Sequence, residues 1–236
     1  MKYEKPMQNE APITTRPDDL RLRLLEAAIA VFGRHGFDGA STRMLASAAG
    51  VNLQAIPYHF GGKEGLYLAA ADHIGMKIEA HVGPTAMKIR ARLAAQPSGT
   101  PLPADEVRPL LAEMLETAAR LMVGEESAAF ARFIVSEQME PTAAFERLYG
   151  KVMSPLLETA RQLVGALIGA NPESETVRLR TIATLGQILV LRVAHAAVMR
   201  QLRWTSVGAD EFAAIKAMIG EIVASLRPSA NAAGGA

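Results

Sequence analysis

Apolar positions recur at helical spacing almost from the start of the chain. After Pro17-Asp18-Asp19, residues Leu20, Leu24, Ala27, Ala28, Val31 and Phe32 fall on one helical face. Proline suits a first helical turn, and carboxylates there favour the positive end of the helix dipole. Gly33 and Gly36 predict the end of this helix, with Phe37 packed beneath it. A second helix is predicted from Ser41, a good N-cap, to Ala49, with Leu45 and Ala48/Ala49 inward and Gly50 as its stop. A third runs from Asn52 to Phe60, with Ile56 and Phe60 on one face, and Gly61-Gly62 break it. A fourth begins at Lys63-Glu64 and passes Leu66, Ala70 and Ile74 to about Ile89.

The stretch Gln96-Pro97-Ser98-Gly99-Thr100-Pro101-Leu102-Pro103 is the clearest loop. Beyond it the pattern predicts helices at about 105–123, 126–139, 141–168, 173–203 and 208–227. The fold class is therefore all-α. A three-helix helix-turn-helix domain over 17–62 precedes a helical ligand-binding and dimerisation domain over 63–227. Met1 to Arg16 read as a disordered arm and 228–236 as a flexible tail.

Composition narrows the function. Half of the 236 residues are hydrophobic, enough for a sizeable core. The absence of cysteine excludes disulfides, thiolate metal sites and cysteine nucleophiles. The net charge of +1 means that any affinity for nucleic acid must come from a local arrangement. The apolar stretch Thr181 to Met199 is interrupted by Gln187, Arg192 and His195, which predicts a buried helix rather than a membrane span. A cytoplasmic protein with no membrane partner is expected. The five histidines lack metal-ligand spacing, and neither a metal nor a cofactor is expected. His73 and His81 are two turns apart and read as solvated. No zincin, nucleophile-elbow, P-loop or dinucleotide motif occurs, which argues against an enzyme.

The short joint around Gly50 gives the second and third helices helix-turn-helix geometry, with the later helix presented to the major groove. Asn52, Leu53, Gln54, Pro57, Tyr58 and His59 surround the inward Ile56 and Phe60. Gln54 is able to pair with adenine, and apolar side chains with a thymine methyl. Thr42, Arg43, Tyr58, His59 and Lys63 are candidate phosphate donors. The run Ser41-Thr42-Arg43-Met44-Leu45-Ala46-Ser47-Ala48-Ala49-Gly50-Val51-Asn52, followed by Ala55-Ile56-Pro57-Tyr58-His59-Phe60-Gly61-Gly62-Lys63-Glu64-Gly65-Leu66-Tyr67, resembles the TetR/AcrR signature. The resemblance implies a homodimer on a near-palindromic, double-stranded DNA operator, with Tyr58, His59 and Lys63 on phosphates. Two positions depart from the family pattern. Met44 stands where an acidic residue often closes a capping box with Ser41. Pro57 stands inside the recognition helix, where it removes a backbone hydrogen bond and is expected to kink the helix.

Glu173 to Arg203 is apolar around most of its circumference, which calls for burial on more than one side. A two-fold interface supplies the second side. Ile182, Gly186, Leu189 and Val193 are expected there, joined by Phe212, Ile215, Ile219 and Ile222 from the last helix. Met114, Arg132, Tyr149, Arg192, His195 and Trp204 are candidates for lining a pocket for a small organic effector. A plainer reading of the same groups is core filling and salt bridges, such as Arg132 with Glu137 or Glu140. The segment from Arg132 to Pro141, with Gly186-Gln187 and Arg203-Trp204, also resembles the C-terminal domain of CerR/CecR-type regulators. That resemblance implies control of efflux or transport genes. The expected function is that of a dimeric repressor released from its operator by the effector, with activation, or recruitment of a protein partner in place of a small molecule, as the alternatives that stay open.

Overall fold

The computed structural model describes residues 17–97 and 102–228, so the expected arm, the tip of the Gln96–Pro103 loop and most of the expected tail lie outside the described residues. Among the described residues there is no strand. Helix α1 (Pro17–Gly39) buries Leu24, Leu25, Ala28, Ile29 and Phe32, and is interrupted at Gly36, where φ is 69°. Helices α2 (Thr42–Ala49) and α3 (Ala55–Phe60) follow, then the long α4 (Lys63–Ala94). Inside α2 the buried residues are Leu45, Ala46 and Ala49, while Ala48 faces outward.

Helix α5 (Ala104–Val123) and α6 (Glu125–Met139) precede a rod made of α7 (Ala143–Leu148), a π-helical turn (Tyr149–Met153) and α8 (Ser154–Ile168). The chain closes with α9 (Glu175–Val193), α10 (His195–Leu202) and α11 (Ala209–Ser225). No single helix among the described residues is long and apolar enough to cross a membrane. Thr181 to Met199 is not one buried helix: it breaks at Ala194, and α10 leaves α9 at 82°. Helix α9 buries only one face, through Val177, Thr181, Thr184, Ile188 and Leu191. The threonine hydroxyls on that face donate to the carbonyls one turn back, Val177 and Arg180, each at 2.8 Å, which makes their burial tolerable.

Apolar side chains form two cores. One is shared by α1, α2, α3 and the first half of α4 with Leu121, Phe130, Phe133, Ala144, Leu148 and Val152. The N-terminal helices thus close their core only with help from α6 and α7. The other joins the end of α4 to α5, α8, α9 and α11. Phe212, Ile215, Ile219 and Ile222, expected at a two-fold interface, are buried in this second core instead. They face α5, whose Arg120 guanidinium stacks 4.0 Å from the Phe212 ring centroid and whose Arg108 donates to the Val223 carbonyl at 2.6 Å.

Arg192, expected in a pocket, closes the corner between α5 and α6. Its Nε donates to the Met122 carbonyl at 2.5 Å and its Nη2 to the Gly124 carbonyl at 2.7 Å. Met122 is among the last carbonyls of α5, which lack intrahelical partners, and Gly124 is the cap residue between α5 and α6. The fully buried Ser127 hydroxyl donates to the same two carbonyls, at 3.2 and 2.8 Å. Replacing Arg192 with Met keeps the apolar stem and removes both guanidinium bonds. The expected cost is about 2 kcal/mol, read by chemical denaturation, with the far-ultraviolet helix signal unchanged.

Candidate nucleic-acid interface

The helix-turn-helix is built from caps. Ser41 Oγ accepts from the Met44 backbone N–H at 3.2 Å, so half of a capping box survives without an acidic residue at position 44. Gly50 takes the left-handed conformation at the end of α2, with φ 62°. Asn52 Oδ1 accepts from the Gln54 N–H at 3.0 Å, an Asx turn that leads the chain into α3. Arg23 of α1, which the sequence pattern did not single out, locks this turn. Its Nη2 donates to the carbonyls of Ala49 and Gly50 at 2.6 and 3.1 Å. The only signal for it is its place one position before the inward Leu24, which aims its long side chain along the edge of the core.

The expected kink at Pro57 is absent, because α3 begins later than the pattern suggests. With Gln54 as N-cap, Pro57 is the third helical residue, and the first full-turn bond of this helix is Tyr58 N–H to Gln54 O at 3.2 Å. An N–H at position 57 would have had no intrahelical partner, so proline there costs little. Ile56 is fully buried and anchors the helix, while Asn52, Leu53, Gln54 and Pro57 are exposed. Tyr58 is 84% exposed, far more than a core aromatic, and its ring meets His59 edge-on with centroids 4.8 Å apart. Arg43 is exposed on α2, and Thr42 and His59 are half-buried. Lys63 opens α4 with its ammonium 4.4 Å from the Phe37 ring centroid, which holds the charge at the junction of α1, α3 and α4.

His73 is not solvated as expected. It is half-buried on α4, its Nε2 is enclosed without a hydrogen-bond partner among the described residues, and burial together with Lys77 holds its pKa below the usual histidine range. His81 is exposed.

The six candidate effector residues do not converge. Met114 is buried in the second core and Trp204 packs at its edge. Arg132 is exposed on α6 at its contact with α1 and does not pair with Glu137. Arg192 closes the α5–α6 corner, and His195 starts α10. Tyr149 alone of the six borders a described cleft, one lying between α8 and α9. Glu137 instead accepts from the Tyr67 hydroxyl and from both the N–H and the hydroxyl of Thr142, at 3.1 and 2.9 Å. Burial, and next this carboxylate, push the Tyr67 hydroxyl well above the usual tyrosine range. Ile182, Gly186, Leu189 and Val193 remain exposed on α9.

A capped helix-turn-helix with an exposed recognition helix is the geometry of a transcription regulator, and the comparisons with known proteins show that class. Residues 24–70 match the bacterial regulatory proteins of the tetR family. Residues 107–227 match the C-terminal domain of the HTH-type transcriptional dual regulator CecR. CecR of Shigella flexneri is 32% identical over 198 residues, 84% of this chain and 86% of its own. The repressor AcnR of Corynebacterium glutamicum is 45% identical over 56 residues, 24% of this chain and 30% of its own. A TetR-family regulator from Shewanella sp. PV-4 shares the fold with a TM-score of 0.57 at 18% identity, over 86% of this chain and 96% of that one. The chain belongs to the TetR family of transcription regulators. Within it, the C-terminal part is of the CecR type.

Gly65 carries the joint between α3 and α4. A Cβ at this position would lie 1.8 Å from the Phe60 carbonyl oxygen, a backbone atom that cannot move without displacing the end of the recognition helix. Gly65→Ala is therefore expected to cost about 2–3 kcal/mol. It should also weaken DNA binding strongly, although Gly65 has no side chain to contact DNA. Denaturation and binding by fluorescence anisotropy, run on the same preparation, check both effects.

Proposed function

We propose that the protein is a homodimeric repressor that holds a near-palindromic double-stranded DNA operator and is released from it by a small organic effector. The observation that carries the DNA reading is the recognition helix. It is anchored by one buried isoleucine and turns Leu53, Gln54, Pro57 and an 84% exposed Tyr58 outward. Leu53, Gln54, Asn52 and Pro57 would face base edges, and Thr42, Arg43, Tyr58, His59 and Lys63 would face phosphates. Residues 17–62 form the reading unit and 63–227 the sensing and dimerising unit.

Dimerisation is supported by the unpartnered apolar face of α9. Leu179, Ile182, Leu189, Val190 and Val193 are between 47% and 60% exposed there, and a second copy would cover them. Pairing through Ile182, Gly186, Leu189 and Val193 leaves the α11 residues in their own core. Repression follows the named activity of AcnR, and the name of CecR as a dual regulator allows activation at a second promoter. Efflux and transport genes are the first promoters to test.

The test is binding to fragments from upstream of the protein's own gene, over a salt series. Nanomolar, sequence-specific binding that falls steeply with salt is expected. Tyr58→Ala should weaken it about tenfold. Lys63→Ala should lower the salt slope by about 1 without changing sequence preference. Weak, sequence-indifferent binding that Tyr58→Ala leaves unchanged would overturn this reading.

A further inference from the structure

The recognition helix α3 has six residues, too few to be stable alone, so whatever fixes it from outside also fixes where its side chains point. Ile56 holds its middle in the first core. Its far end meets Arg21 of α1, whose guanidinium lies 5.4 Å from the Phe60 ring centroid. Its start hangs on the turn after α2, where the carbonyls can be followed one by one. The left-handed Gly50 donates its N–H to Ser47 O at 3.1 Å and lets the Val51 N–H reach Ala46 O at 3.0 Å. Asn52 O accepts from the Ala55 N–H at 3.0 Å, and Leu53 O from the Ile56 N–H at 3.3 Å. These bonds are all local. They shape the turn but do not tie it to another helix.

That tie falls to two carbonyls left over at the end of α2. Ala49 O and Gly50 O both accept from Arg23 Nη2, at 2.6 and 3.1 Å, across 26 and 27 residues of sequence. Among the described residues, no other side chain from outside the turn hydrogen-bonds to it. One nitrogen serves both acceptors, so the contact fixes a direction as well as a distance. The fit is close: a Cβ on Gly50 would lie 3.0 Å from the same nitrogen. Arg23 is exposed, so removing it strands no buried cation, and water can hydrate the freed carbonyls. What the contact supplies is the register between α1 and the first residues of α3.

We propose that Arg23 is a positioning residue for base readout. It holds the α2–α3 turn against α1 and thereby sets the depth and angle at which Leu53 and Gln54 enter the major groove, without touching DNA itself. The inference rests on the DNA reading proposed above and places one source of its sequence specificity outside the recognition helix. Base contacts need their groups placed to within about 0.5 Å, whereas the sequence-independent attraction to phosphates tolerates a larger shift.

The test compares binding of the operator with binding of a scrambled duplex of equal length and composition, by fluorescence anisotropy over a salt series. Arg23→Met keeps the stem and removes the donor, and Arg23→Lys keeps a donor at similar reach. Arg23→Met should weaken operator binding about tenfold, leave scrambled-duplex binding within about twofold and leave the salt slope unchanged. Arg23→Lys should recover most of the loss. Amide hydrogen exchange without DNA reads the same claim: Arg23→Met should speed exchange from Gly50 to Ala55 and leave Leu24 to Phe32 as they were. The inference is overturned if both duplexes lose affinity together and the salt slope falls by about 1, which makes Arg23 a phosphate contact. It is also overturned if exchange rises throughout the first core, since Arg23 would then serve the fold and not the pose. A native chain with no operator preference overturns the DNA reading itself. A preference that survives intact in Arg23→Met overturns this inference alone.

Discussion

A single buried carboxylate joins the DNA-reading end of the molecule to the rest. Glu137 of α6 is 1% exposed and has no cationic partner among the described residues. Taking a carboxylate out of water is costly unless donors replace the lost hydration. Here the donors are the Thr142 N–H, the Thr142 hydroxyl and the Tyr67 hydroxyl. Tyr67 lies near the start of α4, seven residues beyond the end of the recognition helix. Its ring is packed at 4.7 Å from Phe32, 5.0 Å from Phe37 and 4.7 Å from Phe133. One side chain therefore fixes α1, α4 and α6 with respect to one another, through ring packing on one side and a buried hydrogen bond on the other.

This arrangement limits how the proposed effector can act. The first core is completed by α6 and α7, so the helix-turn-helix is not a bead on a hinge. A movement of the recognition helix relative to the C-terminal helices has to rearrange α6 against α1 and α4. A ligand favours the rearranged state only in proportion to its preference for it. Helix α6 carries both contacts: Arg192 of α9 holds the corner at its start, and Phe133 and Glu137 meet Tyr67 further along it. Packed interiors repack between discrete arrangements more readily than they stretch, which suits a two-state response.

Much of this was legible in the sequence because helix periodicity and cap chemistry are local. Ser41, Gly50 and Gly61 end or begin helices where their side chains, or lack of one, demand it. The inward faces built on Leu24, Leu45, Ile56 and Leu66 follow from spacing alone. What was not legible depends on which faces meet. Periodicity shows that Phe212, Ile215, Ile219 and Ile222 share a face, but not whether α5 or a second copy covers it. Arg192 and Arg132 looked alike as cations in apolar helices, yet one closes a corner and the other is exposed. The break at Ala194 carries no glycine or proline to announce it. Pro57 misled because proline is disruptive only beyond the first turn, and the start of α3 is set by the Asn52 turn.

The most direct test of this account is a double-mutant cycle on Tyr67→Phe and Glu137→Gln, followed by both unfolding free energy and operator affinity. Neither residue reaches the DNA-facing surface, since Tyr67 and Glu137 are 5% and 1% exposed. The account predicts a coupling energy above about 1 kcal/mol in stability, together with a changed operator affinity in each single variant. Additivity within about 0.5 kcal/mol, with operator affinity unmoved, would contradict the claim that this contact holds the recognition helix in place.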